Sequence, residues 1–285
     1  MKNFIRRVFP KAFITDLGSA VAEELKPFIK DVTSTAIRQC TQTRAENSDS
    51  VATSADEAKA KLLWDENIHL EYEEWDEEIK TWPRSETAMG YATYQHSNIM
   101  PDSIVELLPR EKDEYDILDV GSGPRCWFGS TIPNKTVNLT CCDPLAEFYK
   151  ESYRKYDIPQ VYDLIKAEAE KLLETFRYNQ FDLVTARNCL DHSYSPEQSI
   201  LQMATCSKRH ILLLHCLNEG KTAWYNGLHQ WDFDVEDGDF VIKGNVGKIN
   251  FTKKYAHLFK HETRFFDSHW RGQTQHWFEL ILEKK

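Results

Sequence analysis

The chain has 285 residues, enough for one large domain with additions or for two small ones, and at 41% hydrophobic and 12% aromatic residues it can bury a core. With 45 acidic against 35 basic residues its net charge is −10, which argues against a duplex-binding surface, since phosphate contacts need clustered lysine and arginine. Seven cysteines without a CxxC pair read as reduced, buried thiols of a cytosolic protein rather than as a disulfide framework or a zinc site, and no apolar run approaches the ~20 residues of a membrane span.

Residues 1–14 are basic and apolar, but Pro10 and the charges interrupt any signal-peptide core. Leu17, Val21, Leu25, Phe28 and Val32 recur at helical spacing, so residues 16–38 are expected to form an amphipathic helix, kinked or restarted at Pro27. Such a helix either docks on a protein partner or a membrane surface through residues 1–38, or packs on the main domain. Residues 41–56 hold almost no large apolar group and read as a linker, which sets a boundary between an N-terminal attachment, 1–56, and a main domain, 57–285. Ser54-Ala55-Asp56-Glu57 resembles a capping box opening a helix to about Trp82. Leu63, Ile68, Tyr72, Trp75 and Ile79 form its apolar stripe, and its acids, including Glu71 and Asp76, read as a solvated face. Between 84 and 109 come Tyr91, Tyr94, His96 and a short helix bounded by Pro101 and Pro109.

Tyr115–Pro124, YDILDVGSGP, is a short buried strand running into a turn with two glycines. Glycines at a strand end let the backbone approach a ligand that a Cβ would repel, and ligands of open α/β sheets sit outside the carboxyl ends of the strands. A second strand, Val137–Cys142, ends in Asp143, about twenty residues beyond the glycines, where a carboxylate can take both hydroxyls of a ribose. A third apolar patch, Val161–Ile165, leads into Lys166-Ala167-Glu168-Ala169, and a fourth strand, from Phe181, runs into Asn188-Cys189-Leu190-Asp191-His192. Ser195-Pro196-Glu197 opens a helix to about Cys206, and Arg209–Cys216 is a fifth strand. Within 218–246, Asp237-Gly238 between two apolar runs predicts a hairpin with a primed turn. Phe251–Phe259 is expected to be a helix, and Arg264–His269 with Gln275–Glu283 a closing pair of strands.

This order of motifs resembles the class I S-adenosylmethionine-dependent methyltransferases of the ubiquinone-biosynthesis-like, type 11 group. The resemblance covers residues 115–192 and implies an α/β, Rossmann-like fold: a seven-stranded, mostly parallel sheet with a terminal antiparallel hairpin, here with N-terminal helices added. It implies S-adenosyl-L-methionine as cofactor, with Asp119, Gly121, Ser122 and Gly123 facing its methionine part, Asp143 and Pro144 at the ribose, Glu168 and Ala169 at the adenine, and Asn188 at the reactive end. Two positions depart from the pattern: Arg125 stands where a further glycine is common, and Glu168 where an aspartate is usual. In the family the segment before the first strand often closes over the cofactor, which makes Tyr91 and Tyr94 candidate walls.

Methyl transfer to a hydroxyl needs the acceptor aligned and its proton removed, and a histidine with a pKa of ~6.5 suits that step near neutral pH. His192, at the end of the fourth strand, is the first candidate base, with Asp191 beside it; His229 on the insertion is the second, and His215 inside the fifth strand reads as structural or as a wall. His192, His229 and an acid could in principle bind a metal, but they do not stand at HxxxH spacing, so no metal is expected. The proline-rich motif of nucleobase amino-methyltransferases is replaced by Asn188-Cys189-Leu190-Asp191, which argues against a nucleic-acid substrate. The expected function is therefore O-methylation of a small polar molecule or a glycan, with Trp224, Tyr225, Trp231 and Phe233 as possible sugar-stacking faces and 218–246 as a lid over the acceptor. The alternatives are a protein that binds the cofactor and a partner without turnover, and a nicotinamide-dependent oxidoreductase.

Overall fold

The computed structural model describes residues 54–84, 98–244, 247–270 and 273–285. The chain divides into two units, Met1–Ser50 and Val51–Lys285, and all described residues belong to the second. The expected helix at 16–38, most of the linker, and Tyr91, Tyr94 and His96 lie outside the described residues.

A seven-stranded sheet forms the centre. In chain order its strands are β1 (Glu114–Val120), β2 (Thr136–Asp143), β3 (Asp163–Lys166), β4 (Phe181–Arg187), β5 (Ser207–Cys216), β9 (Phe259–Trp270) and β10 (Gln273–Lys284), arranged β3-β2-β1-β4-β5-β10-β9. β1, β2, β3, β4 and β5 pair in parallel, and β10 runs antiparallel to both β5 and β9, as the resemblance implies. The branched runs are continuous because both faces are covered. Ile117, Leu183, Leu212 and Ile281 bury on one face, while Leu118, Val184, Ile211, Leu213 and Leu280 bury on the other.

The first face is covered by the end of helix α1 (Ser54–Thr81), the one-turn helix α2 (Asp102–Val105) and helix α3 (Ala146–Lys155). Asp76 of α1, read from sequence as solvated, instead accepts hydrogen bonds from Ser152, Lys155 and Tyr156 and ties α1 to α3. The second face is covered by helix α4 (Pro196–Cys206) and by a small antiparallel sheet of β6 (Trp231–Glu236), β7 (Asp239–Gly244) and β8 (Gly247–Asn250). Between β5 and β6 lies α5 (Glu219–Thr222).

The predicted Asp237-Gly238 hairpin is present, with both turn residues at positive φ, +52° and +86°, as a primed turn requires. Its buried side differs from a removable flap, because Phe233, Phe240 and Ile242 belong to the main core. The expected helix over Phe251–Phe259 is shortened to α6 (Phe251–Lys254), capped by the Asn250 side chain. The rings of Phe251 and Phe259 stack at 6.2 Å in one core, whereas eight residues of straight helix would separate them by about 12 Å. The residues between β1 and β2 form a loop with no helix. Arg125, at the position where the family favours glycine, lies over Trp82 at 5.1 Å and beside Glu78 of α1 at 3.5 Å, so this loop docks on α1.

Among the described residues no helix is long and apolar enough to cross a membrane. Cys126, Cys141, Cys142, Cys189, Cys206 and Cys216 are free thiols.

Candidate active site

A cavity of about 460 Å³ opens at the carboxyl ends of the parallel strands, within the range of small-molecule sites. Its floor is the turn after β1, where Gly121 and Gly123 both stand at φ +61°, a conformation that costs a side-chain-bearing residue about 1–2 kcal/mol. A Cβ at Gly121 would stand 2.5 Å from the Cys189 sulfur, and one at Gly123 would stand 3.5 Å from the Trp75 ring. Tyr162 donates a hydrogen bond to the Pro124 carbonyl at 3.1 Å, and Tyr153 donates to the same oxygen, so the loop is held from below.

Asp143 ends β2 at the cavity wall. Its two carboxylate oxygens accept backbone N–H groups of Gly123 at 3.0 Å and Leu145 at 2.8 Å, which fixes the acid against the glycine turn. Burial raises its pKa to about 7 despite those bonds. Glu170, near the start of the turn after β3, is likewise raised to about 7 by burial and accepts the N–H groups of Tyr194 and Ser195. Sequence reasoning passed over Glu170, because it read the acid of that motif as Glu168. Both line the cavity; Glu168 accepts from Tyr194 at 2.9 Å and from Lys171.

Ser122, Pro144, Ala169, Asn188 and His192 also line the cavity. The Asn188 backbone lies at φ +48°, and its amide oxygen accepts the Cys216 N–H at 3.0 Å, binding the end of β4 to that of β5. Asp119 does not line the cavity: it is fully buried in β1, accepts from Thr185 at 2.8 Å, and burial raises its pKa to about 6. Asp191 and His229 also stand behind the wall, in contact with His192.

The roof is α1. Trp64, Ile68, Glu71 and Trp75 face the cavity, and Trp75 donates its indole N–H to Glu71 at 2.8 Å. Glu71 is therefore not part of a solvated acidic face. The signal was present in its four-residue offset from Trp75 on the apolar stripe, but ten acids in one helix concealed it.

At the far end, residues distant in sequence meet. Asp191 is completely buried, and its Oδ2 lies 2.6 Å from His229 Nδ1. His192 Nε2 lies 3.0 Å from the same His229 nitrogen and 3.5 Å from Asp191 Oδ2, and its Nδ1 is 3.5 Å from Glu71 Oε2. Burial alone would raise the Asp191 pKa, but charge at His192 and the imidazoles of His215 and His229 hold it well below the usual carboxylate range. Burial disfavours charge on His229, yet the Asp191 hydrogen bond prevails and raises its pKa. Two of the four aromatics read as sugar-stacking faces are core residues: Trp231 donates to the Ser193 carbonyl at 2.8 Å and Phe233 packs edge-on to His215. Trp224 is 89% exposed.

Residues 118–213 match the family described as a methyltransferase domain. No curated protein matches the chain. Among solved structures, a SAM-dependent methyltransferase from Aquifex aeolicus is similar at 10% identity over 65% of this chain and 89% of that one, with a TM-score of 0.37. The N-methyltransferase NodS from Bradyrhizobium japonicum WM9, in complex with S-adenosyl-L-homocysteine, is similar at 9% identity over 64% and 84%, with a TM-score of 0.39. Magnesium protoporphyrin IX methyltransferase from Synechocystis PCC 6803, with bound SAM, is similar at 10% identity over 76% and 83%, with a TM-score of 0.35. The matched segment lies within the seven-stranded, Rossmann-like sheet described above.

The raised acids give the unliganded site a pH signature. A carboxyl whose folded pKa lies above its unfolded value stabilises the fold fully below the unfolded value, near 3.8 for Asp143, and loses that contribution as pH rises through about 7. The melting temperature of Asp143→Asn without ligand should therefore fall less than that of the wild type between about pH 4 and pH 7. Scanning fluorimetry across that window checks this, and parallel curves for the two proteins would remove the assignment.

Proposed function

We propose that the protein transfers the methyl group of S-adenosyl-L-methionine to an oxygen of a small polar molecule or a glycan, in the cytoplasm. The observation that carries this reading is one cavity lined by the glycine turn, Asp143 and His192, with His192 backed by His229 and Asp191. The residues fit the cofactor: two positive-φ glycines form a floor without Cβ atoms, and a fixed acid stands at the strand tip. When bound, the sulfonium supplies an activated methyl group. Gly121, Ser122 and Gly123, with Asp119 beneath them, hold the methionine end, Asp143 and Pro144 the ribose, Glu168 and Ala169 the adenine side, and Asn188 borders the reacting end. His192 receives the acceptor proton, and His229 with Asp191 stabilises the charge that results. The glycan half of the reading rests on Trp224, and the cytoplasmic one on the free thiols. Residues 1–38 are proposed to contact a membrane surface or a protein partner, and 1–56 to be separable from 57–285.

The test is calorimetry with SAM and with NAD, followed by transfer of labelled methyl to cell fractions. SAM is expected to bind and NAD not to, and Asp143→Ala should weaken SAM by roughly 1.5–3 kcal/mol, the worth of hydrogen bonds to a charged group. Tight NAD binding would favour the oxidoreductase alternative, and SAM binding without transfer would favour the non-catalytic one.

A further inference from the structure

Hydrogen bonding does not account for the Asp191 cluster. Three donor atoms, Asp191 Oδ2, His229 Nδ1 and His192 Nε2, form a triangle with edges of 2.6, 3.0 and 3.5 Å. A ring nitrogen has one in-plane position, for either a proton or a lone pair. If His229 Nδ1 gives its proton to Asp191, that position is used, and His192 Nε2 is left facing the same N–H without a bond of its own. If His192 donates to His229, the carboxylate loses its 2.6 Å partner. One proton satisfies one edge of the triangle, whereas a cation above it satisfies all three atoms. Ligand atoms at ~2.0–2.1 Å from a tetrahedral ion stand roughly 3.3–3.4 Å apart, so the 3.5 Å edge is near that spacing and the 2.6 and 3.0 Å edges would open on binding.

A second observation lies behind the triangle. Asp191 Oδ1, His215 Nε2 and Glu219 Oε2 are buried with no hydrogen-bond partner. Asp191 and His215 are almost wholly buried, and these two atoms face each other 3.2 Å apart. Two acids and three imidazoles thus converge in one largely buried cluster, a set of ligand atoms that a cation would satisfy together.

We propose that Asp191, His192 and His229 form a binding site for a divalent transition-metal ion of the zinc class, with an open position toward the cavity for the acceptor hydroxyl. Two imidazoles and one carboxylate with a free position are the ligand set of a catalytic zinc site. His215 and Glu219 flank Asp191 from behind, and Glu71 faces the outer nitrogen of His192, where outer partners orient ligands. These ligands carry no HxxxH signature because they come from the loop after β4 and from the segment between α5 and β6.

This inference rests on the proposed O-methylation. A hydroxyl bound to the ion would lose its proton more readily; with the ion on His192 Nε2, that proton would leave through Glu71 to water, in place of the transfer to His192 that operates without metal. The oxygen lone pair forms the bond to the methyl carbon as the carbon–sulfur bond breaks and its electron pair returns to sulfur, leaving the methyl ether and S-adenosylhomocysteine.

The test is titration of the chelator-treated full-length protein with Zn²⁺ by calorimetry and with Co²⁺ by absorption, each without any methyl acceptor. One ion per chain is expected, with the intense visible bands of four-coordinate Co²⁺. His192→Ala and His229→Ala should each weaken Zn²⁺ binding by on the order of 10²-fold or more, beyond the loss seen for outer-shell changes. His276→Ala, an exposed histidine paired with Asp267, should leave it unchanged. Asp191→Asn adds a third arm if its circular dichroism matches the wild type, and the two histidine variants suffice if it does not. No binding, or equal binding by the wild type and a His192→Ala/His229→Ala double variant, overturns the site. SAM affinity is read separately, so a protein that binds SAM and transfers methyl without metal overturns this inference alone. A protein that binds Zn²⁺ but not SAM overturns the methyltransferase reading instead.

Discussion

His192→Ala is expected to lower methyl transfer by about 10²- to 10⁴-fold while SAM affinity stays within a few-fold, the range set by loss of assisted proton removal. His192 lines the cavity from the loop after β4 and makes no hydrogen bond to the glycine turn or Asp143, so its loss leaves the cofactor floor and Asp143 in place. The wild-type rate should rise with pH along a limb as the paired imidazoles give up their proton; at His229 burial opposes the charge but the Asp191 hydrogen bond prevails and moves that loss upward. In the variant that limb should vanish and the defect shrink at high pH, because a more ionised acceptor needs less help. Rates measured from pH 6 to pH 10 under saturating SAM check both points. Full turnover by His192→Ala together with a large loss in His229→Ala would move the base to the insertion. Full turnover by both would point to an amine or thiol acceptor.

The sheet could be read from sequence because its strands are buried on both faces and appear as short branched runs, each ending in a turn residue or an acid. The glycine turn and Asp143 were readable for the same reason: a strand end fixes where the next residues point. The Asp191 cluster was readable only as separate candidates, since His192 and His229 are brought together by a fold in which Trp231 is anchored to Ser193. The roof was missed in part because Glu71 has acidic neighbours that do face solvent, and charge patterning cannot show that one of them turns inward beside Trp75. The one-turn α6 was read as a long helix because Phe251 and Phe259 are eight residues apart, a spacing that suits one helix face as well as two strands of a stacked core.

Gly121→Ala is expected to reduce SAM binding to below measurable levels and to lower the melting temperature, whereas Gly123→Ala should be milder. Both glycines share φ +61°, so each alanine carries the same backbone cost of about 1–2 kcal/mol. Their surroundings differ. At Gly123 the added Cβ meets the Trp75 ring at 3.5 Å, an ordinary contact. At Gly121 it would stand 2.5 Å from the Cys189 sulfur and 2.7 Å from the Cys189 Cβ, so one of two strand ends must move. Cys189 cannot swing aside freely, since its thiol reaches the Val120 carbonyl at 3.3 Å and it is flanked by Asn188, which is bonded to β5. The turn after β1 and the loop carrying Asp191 and His192 would therefore separate, which disturbs both ends of the cavity at once. A double-mutant cycle distinguishes this clash from the backbone term. Cys189→Ala keeps the Cβ that lies 2.7 Å away and should restore little in the Gly121→Ala background, whereas Cys189→Gly removes it and should recover part of the SAM affinity measured by calorimetry. Equal recovery by Cys189→Ala and Cys189→Gly would place the obstruction at the sulfur alone, and no recovery by either would assign the whole defect to the left-handed backbone.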